Sequence, residues 1–80
     1  MDNNFENSME LRVLLLALYK KEDNESFKDI LLILENNRLF DKKTGKRFLK
    51  KLKELKFIEQ NQLTFLGIQK AKEVEAEFTL

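Results

Sequence analysis

The chain has 80 residues, 42% of them hydrophobic and 36% charged, with a formal net charge of +1. It contains no cysteine and no histidine, which excludes disulfides, thiol nucleophiles, zinc sites of the usual kinds and the commonest general base. Seven phenylalanines and many leucines supply the core of one domain and argue against general disorder, and the absence of proline with only two glycines favours helices over many-turned β structure.

Residues 1–7, "MDNNFEN", are polar with one aromatic and read as a flexible end, leaving 8–80 as a single domain. Asn7 followed by Glu10 has the spacing of a capping box and predicts a helix to about Lys21. Leu11, Leu14, Leu15 and Leu18 form its apolar stripe, widened by Val13, Leu16 and Ala17. A helix apolar around so much of its circumference is central, or is covered by a partner. Its longest apolar run, Val13 to Tyr19, is seven residues, against about 20 for a membrane span. The run also lies too far from the start, behind acidic residues, to resemble a signal peptide. A soluble, cytoplasmic protein is expected, and the lack of cysteine fits a reducing compartment.

After the loop at Glu22 to Ser26, Ser26 and Asp29 give a second capping signal for a helix from Phe27 to Asn36. Phe27, Ile30, Leu31 and Leu34 share one of its faces. A turn-rich connection then carries Leu39 and Phe40 inward, and Asp41 or Thr44 caps a third helix that reaches about Leu55. The period changes at "KFIEQNQLTF": Phe57-Ile58-Glu59 and Leu63-Thr64-Phe65 read as two short strands, with Asn61 able to take the positive φ of a tight hairpin. Thr64 can instead cap a last helix to about Glu77, with Ile68, Ala71, Val74 and Phe78 inward.

The small net charge conceals an uneven distribution. Residues 1–40 carry −3, residues 41–56 carry +6 and residues 57–80 carry −2. Local patches of this kind, rather than total charge, steer polyanions. On a helical wheel of the third helix, Phe48, Leu49, Leu52 and Leu55 fall in one arc, and Lys46, Arg47, Lys50, Lys51 and Lys53 in the other. A solvated face is one reading, since any surface helix has a charged side. Such a face normally interleaves acids, however, and here Lys46–Lys50 and Arg47–Lys51 are like-charged at i,i+4, with only Lys50–Glu54 opposite. Each like pair costs a few tenths of a kcal/mol, roughly. The imbalance favours a surface for a polyanion.

Helix, helix, helix, short hairpin, helix is an order with a known counterpart. "TGKRFLKKLKELKFIE" followed by "LTFLGIQKA" resembles the winged helix-turn-helix domain of bacterial transcriptional regulators of the MarR and PadR types. Thr44, Arg47, Leu52, Leu55, Phe57-Ile58, Leu63-Thr64, Gly67 and Ala71 hold the places of the pattern, and Ser26 to Leu31 looks like the start of the preceding helix. The resemblance spans about Glu10 to Phe78. Three positions depart from it: Lys56 stands where glycine is usual, the wing is reduced to "EQNQ" without Lys or Arg, and Leu31 to Asn36 is bulkier than in many relatives.

The resemblance implies a mainly α fold with a small β-hairpin, and a DNA-binding transcriptional regulator that places helix 44–55 in the major groove. Lys46, Arg47 and Lys50 are then the base-edge candidates, with Arg47 suited to a bidentate contact to guanine. Thr44 and the helix start suit a phosphate, and Lys42, Lys43, Lys51 and Lys53 are phosphate contacts that position without reading sequence. One small domain offers few contacts, so a homodimer on two half-sites is expected, through Leu11 to Tyr19 and the terminal helix with Phe78 and Leu80. An ordinary monomer core is the equal alternative for those residues. The rival reading is a winged-helix module that binds an acidic protein on the same lysines. Catalytic, cofactor and metal residues are not expected, since no carboxylates pair recognisably and no glycine loop cradles phosphate. Glu73, Glu75 and Glu77 read as a solvated face.

Overall fold

The computed structural model describes Phe5 and residues 8–78. Four helices and a two-stranded antiparallel hairpin appear among them: α1 (Met9–Lys20), α2 (Phe27–Asn36), α3 (Lys42–Glu54), β1 (Ile58–Glu59), β2 (Gln62–Leu63) and α4 (Phe65–Phe78). The fold is therefore mainly helical with a small hairpin, in the expected order.

Each helix starts on a side-chain cap. Ser8 caps α1 by accepting the Leu11 N–H at 3.1 Å. The expected cap, Asn7, lies outside the described residues, and the capping register is one residue further on. Ser26 and Asp29 form the expected reciprocal box on α2: the Ser26 hydroxyl accepts the Asp29 N–H at 3.1 Å, and the Asp29 carboxylate accepts the Ser26 N–H at 3.0 Å. Of the two candidates for α3, Asp41 is the cap, accepting the Thr44 N–H at 2.8 Å. Thr44 is the third residue of the helix instead. Thr64 caps α4, accepting the Gly67 N–H at 3.0 Å. The second strand accordingly ends at Leu63, and Phe65 opens α4 with 76% of its surface exposed rather than extending the strand.

Helices α2 and α3 end alike. Asn37 and Leu55 are the C-caps, and the next residues, Arg38 and Lys56, adopt left-handed backbone at φ 64° and 70°. The Arg38 and Leu39 amides donate back to Glu35 and Leu34, and the Lys56 and Phe57 amides to Lys53 and Leu52. These are Schellman closures, in which glycine normally holds the left-handed position because it lacks a Cβ. The hairpin turn uses the same region twice, with Gln60 at φ 51° and Asn61 at φ 67°. Register Glu59↔Gln62 leaves these two as the loop, and positive φ at both matches the twist of a two-residue hairpin.

Leu14, Leu15 and Leu52 have no exposed surface, and Leu11, Leu18, Ala71 and Val74 are buried beside them. α1 is the central helix, packed most extensively on α4 and touching α2 and α3 as well. Phe27 and Ile30 bring α2 to the core, and Leu31 and Leu34 are half-buried against it. Phe5 is buried and meets Phe57 edge-on, with ring centroids 5.2 Å apart. The expected loose N-terminus is thus anchored at this residue, and the rest of 1–7 lies outside the described residues. Phe78 was expected inward but is 40% exposed, under the Arg12 guanidinium at 5.6 Å.

Two glycines set close approaches. A Cβ on Gly67 would lie 1.9 Å from the Phe57 carbonyl oxygen, so only glycine lets α4 touch the segment leaving α3. A Cβ on Gly45 would lie 2.7 Å from the Phe40 ring, which also packs edge-on against Phe48 at 5.5 Å. Gly45 thereby admits the α2–α3 connection onto the inner side of α3.

Candidate nucleic-acid interface

α3 is fixed from one side. Leu52 is fully buried, while Phe48, Leu49 and Leu55 are half-buried and packed on the core. The 3.6-residue period therefore turns Lys42, Lys43, Lys46, Arg47, Lys50 and Lys53 outward, and all six are exposed. Lys51 and Thr44 are half-buried at the edge of this face, with the aliphatic stem of Lys51 able to lie along apolar surface. Of the eight expected site residues, six form one exposed surface and two border it.

Among the described residues, no carboxylate forms an ion pair with any of the seven cations of this set. The acids nearest along the chain are Glu54, the last residue of α3, and the cap Asp41. The Asp41 carboxyl is held below the ordinary range, first by the Thr44 amide it accepts and then by the charges of Lys43 and Arg47. The first turn of α3 has no acidic residue, although the positive end of a helix dipole favours acids there. Stability alone would place a Glu near Lys42 or Lys43.

The opposite side of the molecule contrasts with this. Arg12 of α1 reaches Glu77 of α4 at 3.0 Å, Lys20 pairs with Glu75, and Lys70 meets Glu73 at 3.1 Å. The Lys20 ammonium is raised above its ordinary value, chiefly by its hydrogen bond to Glu75. The three glutamates of α4 are therefore ion-pair partners, two of them stitching α4 to α1, rather than a merely solvated face. Sequence spacing could not show this for Glu75 and Glu77, whose partners are on α1, whereas Lys70–Glu73 is an i,i+3 pair within α4.

The surface expected for a dimer is partly used internally. Leu11, Leu14, Leu15 and Leu18 belong to the chain's own core, while Val13, Leu16 and Tyr19 are half-buried. Leu80 lies outside the described residues.

Two grooves flank α3. One, of about 370 Å³, lies between α2 and α3, with Phe27, Leu31, Phe40 and Leu49 as apolar walls and Lys28, Lys42 and Lys46 at its rim. The other, of about 410 Å³, lies between the end of α3 and the hairpin. No group of histidine, cysteine or carboxylate side chains suited to a metal occurs among the described residues, and no helix there is long and apolar enough to cross a membrane.

Sequence reasoning overlooked the steric role of Gly45. The available signal was that both glycines of the chain fall inside helical patterns, where glycine costs about 1 kcal/mol and needs a packing reason. Comparison with family models, curated proteins and solved structures finds no match for this chain.

Proposed function

We propose that the protein is a duplex-DNA-binding regulator of the winged helix-turn-helix kind, with α3 as the helix that enters the major groove. The observation that carries this reading is the unpaired basic face of α3. Six cations are exposed there with no carboxylate partner among the described residues, whereas Arg12, Lys20 and Lys70 elsewhere are all paired. Evenly spaced cations on a rigid helix suit the phosphates that border a groove, and Lys46, Arg47 and Lys50 are the base-edge candidates. The helix order and the hairpin after α3 support the same reading. A homodimer on two half-sites remains the expected assembly.

Titration with a random duplex tests the proposal. The double variant Arg47→Ala, Lys50→Ala loses about tenfold or more in affinity, with its thermal midpoint within a degree or two of the parent. Lys72→Ala, an exposed cation on α4, leaves affinity unchanged. Equal losses from both variants would contradict the assignment to α3.

The second reading, a module that binds an acidic protein, is favoured by the groove between α2 and α3. Its walls are apolar, its rim carries Lys28, Lys42 and Lys46 against one acid, Glu35, and Leu32 in its lining is 55% exposed. An acidic amphipathic segment fits that chemistry. In that case DNA fails to bind, and Leu32→Ser weakens capture of the acidic partner.

A further inference from the structure

Lys56 is in a conformation that disfavours it. At φ 70° it occupies the left-handed position that closes α3, where any Cβ is strained and glycine is the relaxed choice. Strained positions cluster where function retains them. Arg38 does the same at the end of α2, at φ 64°, so the chain offers an internal control.

The surroundings of the two differ. Lys56 lines the groove of about 410 Å³ between α3 and the hairpin, together with Lys53, Ile58, Glu59, Gln60 and Thr64. Arg38 lines none of the described grooves that flank α3. The carbonyls at this end of α3 already have donors. The Lys56 carbonyl accepts the Thr64 hydroxyl at 2.6 Å, and the Lys53 and Leu52 carbonyls accept the Lys56 and Phe57 amides, each at 3.0 Å. The Leu52, Lys53 and Lys56 carbonyls are thus satisfied, and among the side chains two ammonium groups against one acid, Glu59, offset the negative pole of the helix at the groove. The mouth is also held in place. Thr64 donates to Lys56 and accepts from Gly67, so a single side chain ties the end of α3 to the start of α4.

We infer that this groove is a phosphate site for the nucleic-acid backbone, with Lys53 and Lys56 as its cations and the Gln60 amide as a neutral donor. The left-handed Lys56 brings a cation to the hairpin side of α3, where the hairpin turn itself carries no Lys or Arg. The inference rests on the DNA-binding reading above.

Thermal unfolding, and titration with a random 20-base-pair duplex over a range of salt, test it in the full chain. Lys56→Gly and Arg38→Gly both raise the midpoint of unfolding, because each relieves a left-handed residue. Lys56→Gly weakens duplex binding several-fold and reduces the slope of log affinity against log salt by about 1, whereas Arg38→Gly leaves the slope alone. Lys56→Asn, which tolerates the same backbone, repeats the loss, Lys56→Arg retains the parent slope, and Glu59→Gln strengthens binding. An unchanged slope for Lys56→Gly and Lys56→Asn, in a protein whose parent binds duplex, overturns the phosphate site and leaves the DNA reading standing. Equal slope losses from Lys56→Gly and Arg38→Gly overturn it also, as a general charge effect. A folded parent that binds no duplex at low salt overturns both.

Discussion

Arg12 and Lys20 on α1 and Lys70 on α4 each meet a glutamate of α4, while Lys42, Lys43, Lys46, Arg47 and Lys50 on α3 meet no carboxylate among the described residues. Both regions are helices of one small chain in the same solvent, but Arg12 and Lys70 are mostly covered while the five cations of α3 are exposed. On the first, three cations are matched, and two of those pairs help hold α1 and α4 together, while Lys72 is exposed and unpaired among the described residues. On the second, charge is concentrated, and apolar contacts through Leu52 and its neighbours hold the helix alone. The contrast teaches that the cations of α3 do not explain the fold. Several repel one another at i,i+4, and Lys42 and Lys43 oppose the helix dipole in the first turn although Lys51 and Lys53 complement it in the last, a balance that supports the proposed polyanion partner.

The largest effect comes from breaking the anchor that both regions share. Gly67→Ala drives a Cβ against the Phe57 carbonyl, and neither backbone can yield without losing the Thr64 clamp. Stability should fall by about 3 kcal/mol, read as a lower midpoint in urea, with duplex binding lost only as far as the chain unfolds. Lys46→Glu sharpens the comparison, because its two readouts move in opposite directions. It replaces two repulsive i,i+4 contacts, with Lys42 and Lys50, by attractive ones, so stability rises by about 0.5 kcal/mol or more while duplex affinity drops about tenfold or more. On the paired side, Glu77→Gln removes the partner of Arg12, which is largely covered. A loss of about 0.5–1 kcal/mol is expected in thermal unfolding, with no change in duplex affinity.

The smallest effects are in pH. Asp41 has a depressed carboxyl, so its contribution to the start of α3 is present above the ordinary carboxylate range and is lost as pH falls through the depressed value. Lys20 is raised, so its contribution is present below the ordinary lysine range and is lost only as pH rises through the raised value. At neutral pH both are in place. Asp41→Asn, which keeps an N-cap, reduces the acid-side pH dependence measured by thermal unfolding by the share of this one carboxylate and leaves the alkaline side as it was.

What could be read from the sequence was local. Ser26 and Asp29 mark α2 by a spacing that only a helix start uses, and the period of Phe48, Leu49, Leu52 and Leu55 separates the inner and outer faces of α3. Thr64 was legible as a cap, although its strand alternative was equally open. The cap of α1 was read one residue early, because Asn7 with Glu10 has the box spacing and Ser8 is as good a capping residue. Contacts between elements were the illegible part. Nothing in the spacing of Glu75 and Glu77 points to Lys20 and Arg12, and nothing near Gly45 points to the Phe40 ring. Left-handed backbone at Arg38 also escapes sequence patterns, since glycine is the residue that normally announces it, whereas Lys56 was marked by standing where the resembled pattern has glycine.

If the outer face of α3 serves a polyanion, as proposed, binding to random duplex DNA depends steeply on salt. Log affinity should fall linearly with log salt, with a slope of about −0.9 for each phosphate neutralised, and a slope between about −3 and −6 would match the exposed cations of α3. A chain shown to be folded that binds no duplex at low salt, or binds it with a slope near zero, would contradict the account.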